Sequence, residues 1–272
     1  VVLVLDEELQ AIPWEGLPCL RGRAVTRVPA LPFVFAALAT KWDRGVASEA
    51  VSRESSLGSS SNRRGRKCDS SPTRSDWSPS QDGLRRGRGY YVLDPEANLP
   101  HTRKHLGPIF TGFERRFGWS GVQGKAPTEE TMMRTLEKVD IFAYCGHGAG
   151  ELIVGREAVA GLTKCAAAVL MGCSSGRLKG YGDFEPMGMA TSYLIGGSPA
   201  VVANLWDVTD KDIDRFSVAL FEEFLGGEGE GGGKRAPTLA HAVAESRSEC
   251  KMPFVIGYAP VCYGIPVTAT MS

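Results

Sequence analysis

Two stretches decide how this chain folds: Asp140-Ile-Phe-Ala-Tyr-Cys-Gly-His-Gly-Ala-Gly150 and Ala166-Ala-Ala-Val-Leu-Met-Gly-Cys-Ser-Ser-Gly176. Each is a short apolar run, read as a buried strand, that passes directly into a turn rich in Gly and small polar residues. The helix signature between Thr128 and Val139 precedes the first. It has a Thr cap, acids in its opening turn, and Met132, Met133, Leu136 and Val139 at helical spacing. Working outward, Val1–Leu5, Tyr90–Leu93 and Ala200–Leu205 read as further strands, and Pro186–Ile195, Asp210–Leu225 and Thr238–Cys250 as helices. Strands alternating with helices imply βαβ units, hence an α/β fold with a mostly parallel sheet and helices on both faces.

In open sheets of this kind ligands bind outside the carboxyl ends of the strands. His147 stands two residues past one strand and Cys173 about two past another. If those strands are neighbours, an imidazole and a thiol meet at one rim. A cysteine nucleophile needs such a base and a pocket for the oxyanion formed on attack. The backbone N–H groups of Gly148 and Cys173 are the candidate donors. The thiolate is expected to be partly formed near neutral pH. Against this stands the plainer reading, in which a cysteine after an apolar strand is a small core residue and a histidine is structural.

The next candidate is Trp206-Asp-Val-Thr-Asp-Lys-Asp-Ile-Asp-Arg215, which starts at the same sheet edge. Asp210 and Asp212 fit the opening turn of a helix, but four aspartates in eight residues exceed what a cap needs. One or more could line a pocket for a basic side chain, arginine above all.

Composition narrows the function classes. The 272 residues carry 31 Lys+Arg against 31 Asp+Glu, a net charge of zero, which disfavours a dedicated nucleic-acid binder. No apolar run approaches the ~18–20 residues that cross a bilayer. Seven cysteines without a CxxC pair fit a reducing compartment better than a disulfide framework, and no Cys/His spacing suits zinc. Neither a metal nor a cofactor is expected. The opening Val-Val-Leu-Val-Leu reads as the first strand of a domain within a longer chain, not as a signal peptide.

Residues 41–89 differ from the rest. They hold twelve Ser, nine Arg and two Lys against six acids, with few apolar anchors. Such a composition cannot bury enough surface to offset its ordering entropy and reads as a disordered Ser/Arg-rich insertion. It separates the expected core segments 1–40 and 90–272 of one domain. Gly226–Gly233 reads as a flexible connection between two helices. Asp82-Gly-Leu-Arg85, within the insertion, has an acid three residues before an Arg, which the family resemblance carried by the motifs below makes a candidate self-cleavage site.

Tyr90-Tyr-Val-Leu-Asp-Pro95, Tyr144-Cys-Gly-His-Gly-Ala-Gly-Glu151, Leu170-Met-Gly-Cys-Ser-Ser-Gly176 and Asn204-Leu-Trp-Asp-Val-Thr-Asp-Lys-Asp-Ile-Asp-Arg215 together resemble the protease domain of the separase (separin) family. Leu5-Asp-Glu-Glu-Leu-Gln-Ala-Ile-Pro-Trp-Glu15 and Ile256-Gly-Tyr-Ala-Pro-Val-Cys-Tyr-Gly-Ile-Pro266 extend the likeness over nearly the whole chain except 41–89. The resemblance implies a caspase-like (clan CD) three-layer sandwich and a cysteine endopeptidase. Its substrate would be the kleisin subunit of cohesin, cut after an arginine at anaphase. A securin-type inhibitor as partner, a large helical region ahead of this domain and action in nucleus and cytoplasm are further implications, and neither a membrane nor a direct nucleic-acid site is implied. Carried onto matching positions, Cys173 is the nucleophile and His147 the general base and acid. Asp214 is the favoured partner of the substrate arginine, with Asp210 and Asp207 as alternatives. Cys145 stands where the family pattern leads one to expect a small residue. Another caspase-like peptidase, or an inactive module holding a pseudosubstrate, are the competing readings.

Overall fold

A computed structural model describes residues 1–35, 83–182, 184–226 and 236–270. Its strands are β1 (Val2–Val4), β2 (Thr26–Val28), β3 (Leu84–Arg85), β4 (Gly89–Leu93), β5 (Ser120–Gln123), β6 (Ile141–Cys145), β7 (Ala167–Leu170), β8 (Lys179–Tyr181), β9 (Phe184–Met187), β10 (Ala200–Asn204), β11 (Pro260–Gly264) and β12 (Ala269–Thr270). Its α-helices are α1 (Pro100–Phe117), α2 (Glu129–Lys138), α3 (Arg156–Ala160), α4 (Met189–Ile195), α5 (Asp210–Gly226) and α6 (Leu239–Ser246). Eight strands form one sheet in the order β1-β2-β11-β10-β7-β6-β4-β5. The block from β10 to β5 is parallel throughout, and among the described residues the one reversal in this sheet is the antiparallel β10–β11 pair.

Strand alternation builds the two cores. In β6, Ile141, Ala143 and Cys145 face one side, packed with Leu106 and Phe110 of α1, Phe216 and Phe221 of α5, and Leu239 and Val243 of α6. Phe142 and Tyr144 face the other side with Met132 and Leu136 of α2, Val159 of α3 and Tyr193 of α4. Helices therefore cover both faces, as the period-2 side-chain alternation of a doubly buried sheet requires. Burying each large apolar side chain contributes about 1.5–3 kcal/mol. On the α1 face the rings add their own geometry: Tyr91 stacks on Phe110 at 4.4 Å between centroids, and Phe110 meets Phe221 edge-on at 5.4 Å.

Helix α2 begins as expected, with the Thr128 hydroxyl accepting from the Thr131 N–H. Two readings need correction. Residues 186 and 187 belong to strand β9, and the helix after them starts only at Met189, because Gly188 lies in extended backbone as its cap. The helical reading to Cys250 stops at Ser246, followed by a 3-10 turn over Arg247–Glu249.

The expected disorder of 41–82 lies outside the described residues, as does most of the glycine-rich connection. Order resumes before residue 90, however. Leu84–Arg85 pairs in parallel with Ala269–Thr270, Arg85 holds Asp140 at 2.8 Å, and the Trp119 indole N–H donates to the Arg86 carbonyl at 2.7 Å. Arg85 is thus a strand residue with an ion pair, unlike the free segment assumed for self-cleavage; Asp82 lies outside the described residues.

Candidate active site

Strands β6 and β7 are parallel neighbours, with Tyr144 opposite Leu170. The turns that follow them therefore leave the sheet at the same rim. They touch backbone to backbone: a Cβ at position 172 would lie 1.9 Å from the Gly148 carbonyl oxygen and 2.7 Å from its nitrogen. Only glycine at 172 allows this approach. Gly148 and Gly150 adopt φ of +60° and +83°, so the chain coils tightly around His147. The Tyr144 hydroxyl donates to the His147 carbonyl at 2.8 Å, and the Ala149 N–H donates to Glu151 at 2.6 Å.

The turn after β7 is fixed by the next strand. Asn204 donates through Nδ2 to the Gly172 carbonyl at 3.0 Å, and its N–H donates to the Ser175 hydroxyl at 3.0 Å. Tyr263 donates to the Gly176 carbonyl at 3.0 Å. Ser174 sits at φ +50°, an uncommon conformation for a residue with a side chain. Its N–H donates to the Trp206 carbonyl and its hydroxyl to Asp207 at 2.7 Å. Cys173 precedes this constrained residue, and its thiol, partly exposed, points to the Val208 carbonyl at 3.3 Å.

His147 is exposed, and its Nε2 lies 2.9 Å from Asn98 Oδ1. With an amide oxygen as partner, Nε2 carries the proton and Nδ1 is left as the basic nitrogen. Asn98 was not singled out from the sequence. It is delivered by the segment between β4 and α1, which folds around buried Asp94: one carboxylate oxygen accepts the N–H groups of Asn98 (2.9 Å) and Leu99 (3.0 Å), and the other faces Arg103 at 3.3 Å. Asp94 itself adopts φ +51°.

One narrow cleft runs past the two turns. His147, Cys173, Asp210 and Asp214 line it together with Thr102 and Leu106 of α1 and Ile213 of α5. Its polar floor is Asp214, only 2% exposed. Burial raises the Asp214 carboxyl above the usual carboxylate value, while hydrogen bonds from His101 and Thr102 pull the other way. His101 Nδ1 stands 3.0 Å from its Oδ2.

The other aspartates divide by position. Asp210 is exposed and lines the cleft nearer solvent. Asp212 is buried on the far side, accepting from Arg215 at 2.5 Å and from the N–H groups of Lys251 and Met252. Asp207 faces away from the cleft lining and holds Ser174.

The separin protease-domain family model matches residues 1–213 of this chain. The chain belongs to the separin family. It is 38% identical over 270 residues to separin of Emericella nidulans, 37% over 268 to that of Schizosaccharomyces pombe and 34% over 268 to that of Mus musculus. Those alignments take in 97–98% of this chain but only 11–12% of the relatives, so the chain spans about a tenth of their length. Among solved structures it is similar to separase in the Saccharomyces cerevisiae separase–securin complex, with a TM-score of 0.78, 30% identity, and coverage of 99% of this chain and 16% of that one. The fold also matches the Arg-specific cysteine proteinase gingipain R, with a TM-score of 0.52 over 68% of this chain and 48% of that one. At 13% identity that likeness concerns the fold alone. The caspase-like α/β sandwich is thereby established.

Within this separin-type domain, Cys145 ends β6 beneath the cleft. Burial and the nearby Asp214 push its thiol far above the ordinary value. Cys165 is likewise raised, to about 12, and Cys250 to about 11, in both cases chiefly by burial. The thiolate is the nucleophilic form, so these three sulfurs are inert beside Cys173.

Proposed function

We propose that this domain is a cysteine endopeptidase that cuts after arginine. The observation that carries the reading is the convergence of His147, Cys173 and Asp214 on one cleft, the first two on abutting turns and the third at its floor. The His147 imidazole takes the thiol proton, and the sulfur attacks the peptide carbonyl carbon. The oxyanion is received by the N–H groups of Gly148 and Cys173, which belong to the two touching turns. His147 then protonates the leaving amine, and water attacks the resulting thioester to release the acid and restore the thiol. Asn98 holds the imidazole in the tautomer this sequence needs.

Arginine fits the floor because a buried carboxylate whose neighbours are a histidine and a threonine, with no arginine or lysine paired to it among the described residues, accepts a guanidinium in a charge-assisted pair. Asp214 is the primary partner and Asp210, at the mouth, a secondary one; Asp207 is committed to Ser174. Family membership supports the kleisin subunit of cohesin as substrate and the separation of sister chromatids as the outcome; nucleus and cytoplasm are the proposed places of action. The likeness to a separase solved with securin supports a securin-type inhibitor as partner.

An acyloxymethyl-ketone probe bearing arginine tests the reading. Labelling of the wild-type protein under reducing conditions, lost in Cys173→Ser and in His147→Ala, is the expected result. Labelling that persists without Cys173, or none at all, overturns it.

A further inference from the structure

Helix α1 brings a second set of polar groups up to Asp214 that peptide hydrolysis does not use. His101 and His105 stand one helical turn apart with their rings stacked, centroids 4.0 Å from each other and planes 22° apart. Opposite them on α5 is Asp214, its Oδ2 3.0 Å from His101 Nδ1. One ligand atom of each of the three residues can be chosen so that all lie within 4.8 Å of one another. We propose that His101, His105 and Asp214 form a binding site for a zinc-class divalent metal ion, and that filling it blocks the pocket for arginine.

The donor set is two imidazoles and one carboxylate, which suits a borderline transition metal such as zinc and not calcium or magnesium, whose ligands are oxygens. Two histidines at i and i+4 on one helix face are the spacing by which helices hold zinc. The outer contacts are also present. His105 Nδ1 lies 2.9 Å from the His101 carbonyl oxygen. Donation of its N–H there leaves the Nε2 lone pair free, the arrangement in which metal-bound histidines are commonly fixed. Thr102 secures the Asp214 carboxylate by a side-chain hydrogen bond. Because Asp214 is buried and His105 exposed, the ion would sit between the Asp214 carboxylate and the protein surface, with its remaining position open to water. The stacked histidines were passed over in the sequence because only pairings with cysteine suggested zinc there. A plain His101–Asp214 ion pair with His105 resting on it is the rival account, and it requires no metal affinity.

The site is independent of the peptidase reading, but its consequence rests on that reading. A metal that claims the Asp214 carboxylate competes with the substrate arginine, so it raises KM and leaves kcat unchanged. The catalytic thiol could itself bind zinc, so binding is measured in Cys173→Ser by titration with Co²⁺ and back-titration with Zn²⁺. The expected result is a saturable cobalt spectrum with nitrogen and oxygen ligands, without a thiolate charge-transfer band, and weakened by about tenfold or more in the additional variant His105→Ala. No saturable spectrum, or one unchanged by His105→Ala, overturns the site. In protein with an intact thiol, Zn²⁺ is expected to inhibit arginyl-substrate cleavage competitively, and His105→Ala to keep its basal rate while losing that inhibition. Equal inhibition of both proteins places the effect at the thiol and overturns the blocking role. If metal-free protein cleaves no arginyl substrate, the peptidase reading fails while the cobalt titration still decides the site.

Discussion

The cleft has two walls built in different ways. The wall that carries His147 and Cys173 consists of turns at the ends of neighbouring strands, held by backbone contact, by Asn204 and by Tyr263. The opposite wall, with Thr102 and Asp214, belongs to helices α1 and α5, which are held through side-chain packing such as Phe110 on Phe221, and Asn98 and His101 stand behind it against His147 and Asp214. Chemistry placed on the first wall inherits the rigidity of the sheet. Recognition placed on the second can vary with residues that the sheet does not constrain. The walls should therefore respond differently when broken.

The largest effect belongs to the first wall. Cys173→Ser should lower kcat/KM for an arginyl peptide by roughly 10⁴-fold or more, since loss of a nucleophile is not compensated by its neighbours. Stability should change by no more than a surface substitution does, ~0.5 kcal/mol, because the side chain is only partly buried and serine keeps a donor for the Val208 carbonyl. Activity assays beside thermal melts check both halves.

Asp214→Asn acts on the second wall. Loss of a buried charge partner costs about 2–5 kcal/mol, so cleavage after arginine should fall on the order of 10²-fold while reactivity towards a small uncharged thiol reagent is kept. The pH dependence follows from the raised carboxyl. A carboxyl with an elevated folded value takes up its proton at higher pH than an ordinary aspartate. On acidification KM for arginine should therefore rise before the usual carboxylate range is reached, and Asp214→Asn should abolish that rise. The same elevation means the charged form is disfavoured by folding, so its contribution to stability is lost as pH rises through the folded value. Asp214→Asn should accordingly not lower stability at neutral pH. A KM profile flat on the acid side in wild type would break this account.

Asn98→Ala joins the walls, because the residue sits at the approach to α1 yet touches His147. A single neutral hydrogen bond contributes about 1 kcal/mol, so kcat should drop about fivefold. Asn98→Gln, which keeps an amide oxygen for the imidazole, should restore part of the rate, whereas a merely structural role would leave it unrestored.

The two walls were also unequally legible. The strand-end turns announce themselves in sequence, because a buried run ending in Gly-His-Gly or Gly-Cys-Ser has few structural interpretations, and Gly172 has an observable steric reason to be glycine. Helix α1 was missed although Leu106, Phe110, Phe113 and Phe117 follow helical spacing. Gly107, Pro108 and Gly112 interrupt the pattern, and Pro108 stays inside the helix. Missing α1 hid Asn98, His101 and Thr102, since their meaning comes only from what the helix faces. The edge of the Ser/Arg-rich segment was misplaced for a related reason: Leu84 and Arg85 are held by partners at 269–270 and 140 that local composition cannot reveal. The four aspartates were recognisable as a group but not as individuals, because adjacent positions on one helix face a cleft, a buried loop or solvent according to packing.

The smallest effect separates those individuals most sharply. Asp207 and Asp214 were both candidates for the substrate arginine, yet Asp207 is exposed and accepts the Ser174 hydroxyl. Asp207→Asn keeps an oxygen acceptor for that hydroxyl and removes only a solvated charge. Exposed charges contribute ~0–1 kcal/mol, so kcat/KM should change less than about fivefold. More tellingly, the preference for arginine over lysine in the cleaved position should be unaltered, whereas Asp214→Asn should erode it because a bidentate carboxylate distinguishes the planar guanidinium from a point charge. If Asp207→Asn weakened arginine selection as strongly as Asp214→Asn does, the cleft floor would have to lie closer to Ser174 than it does here, and the recognition wall would be part of the catalytic one.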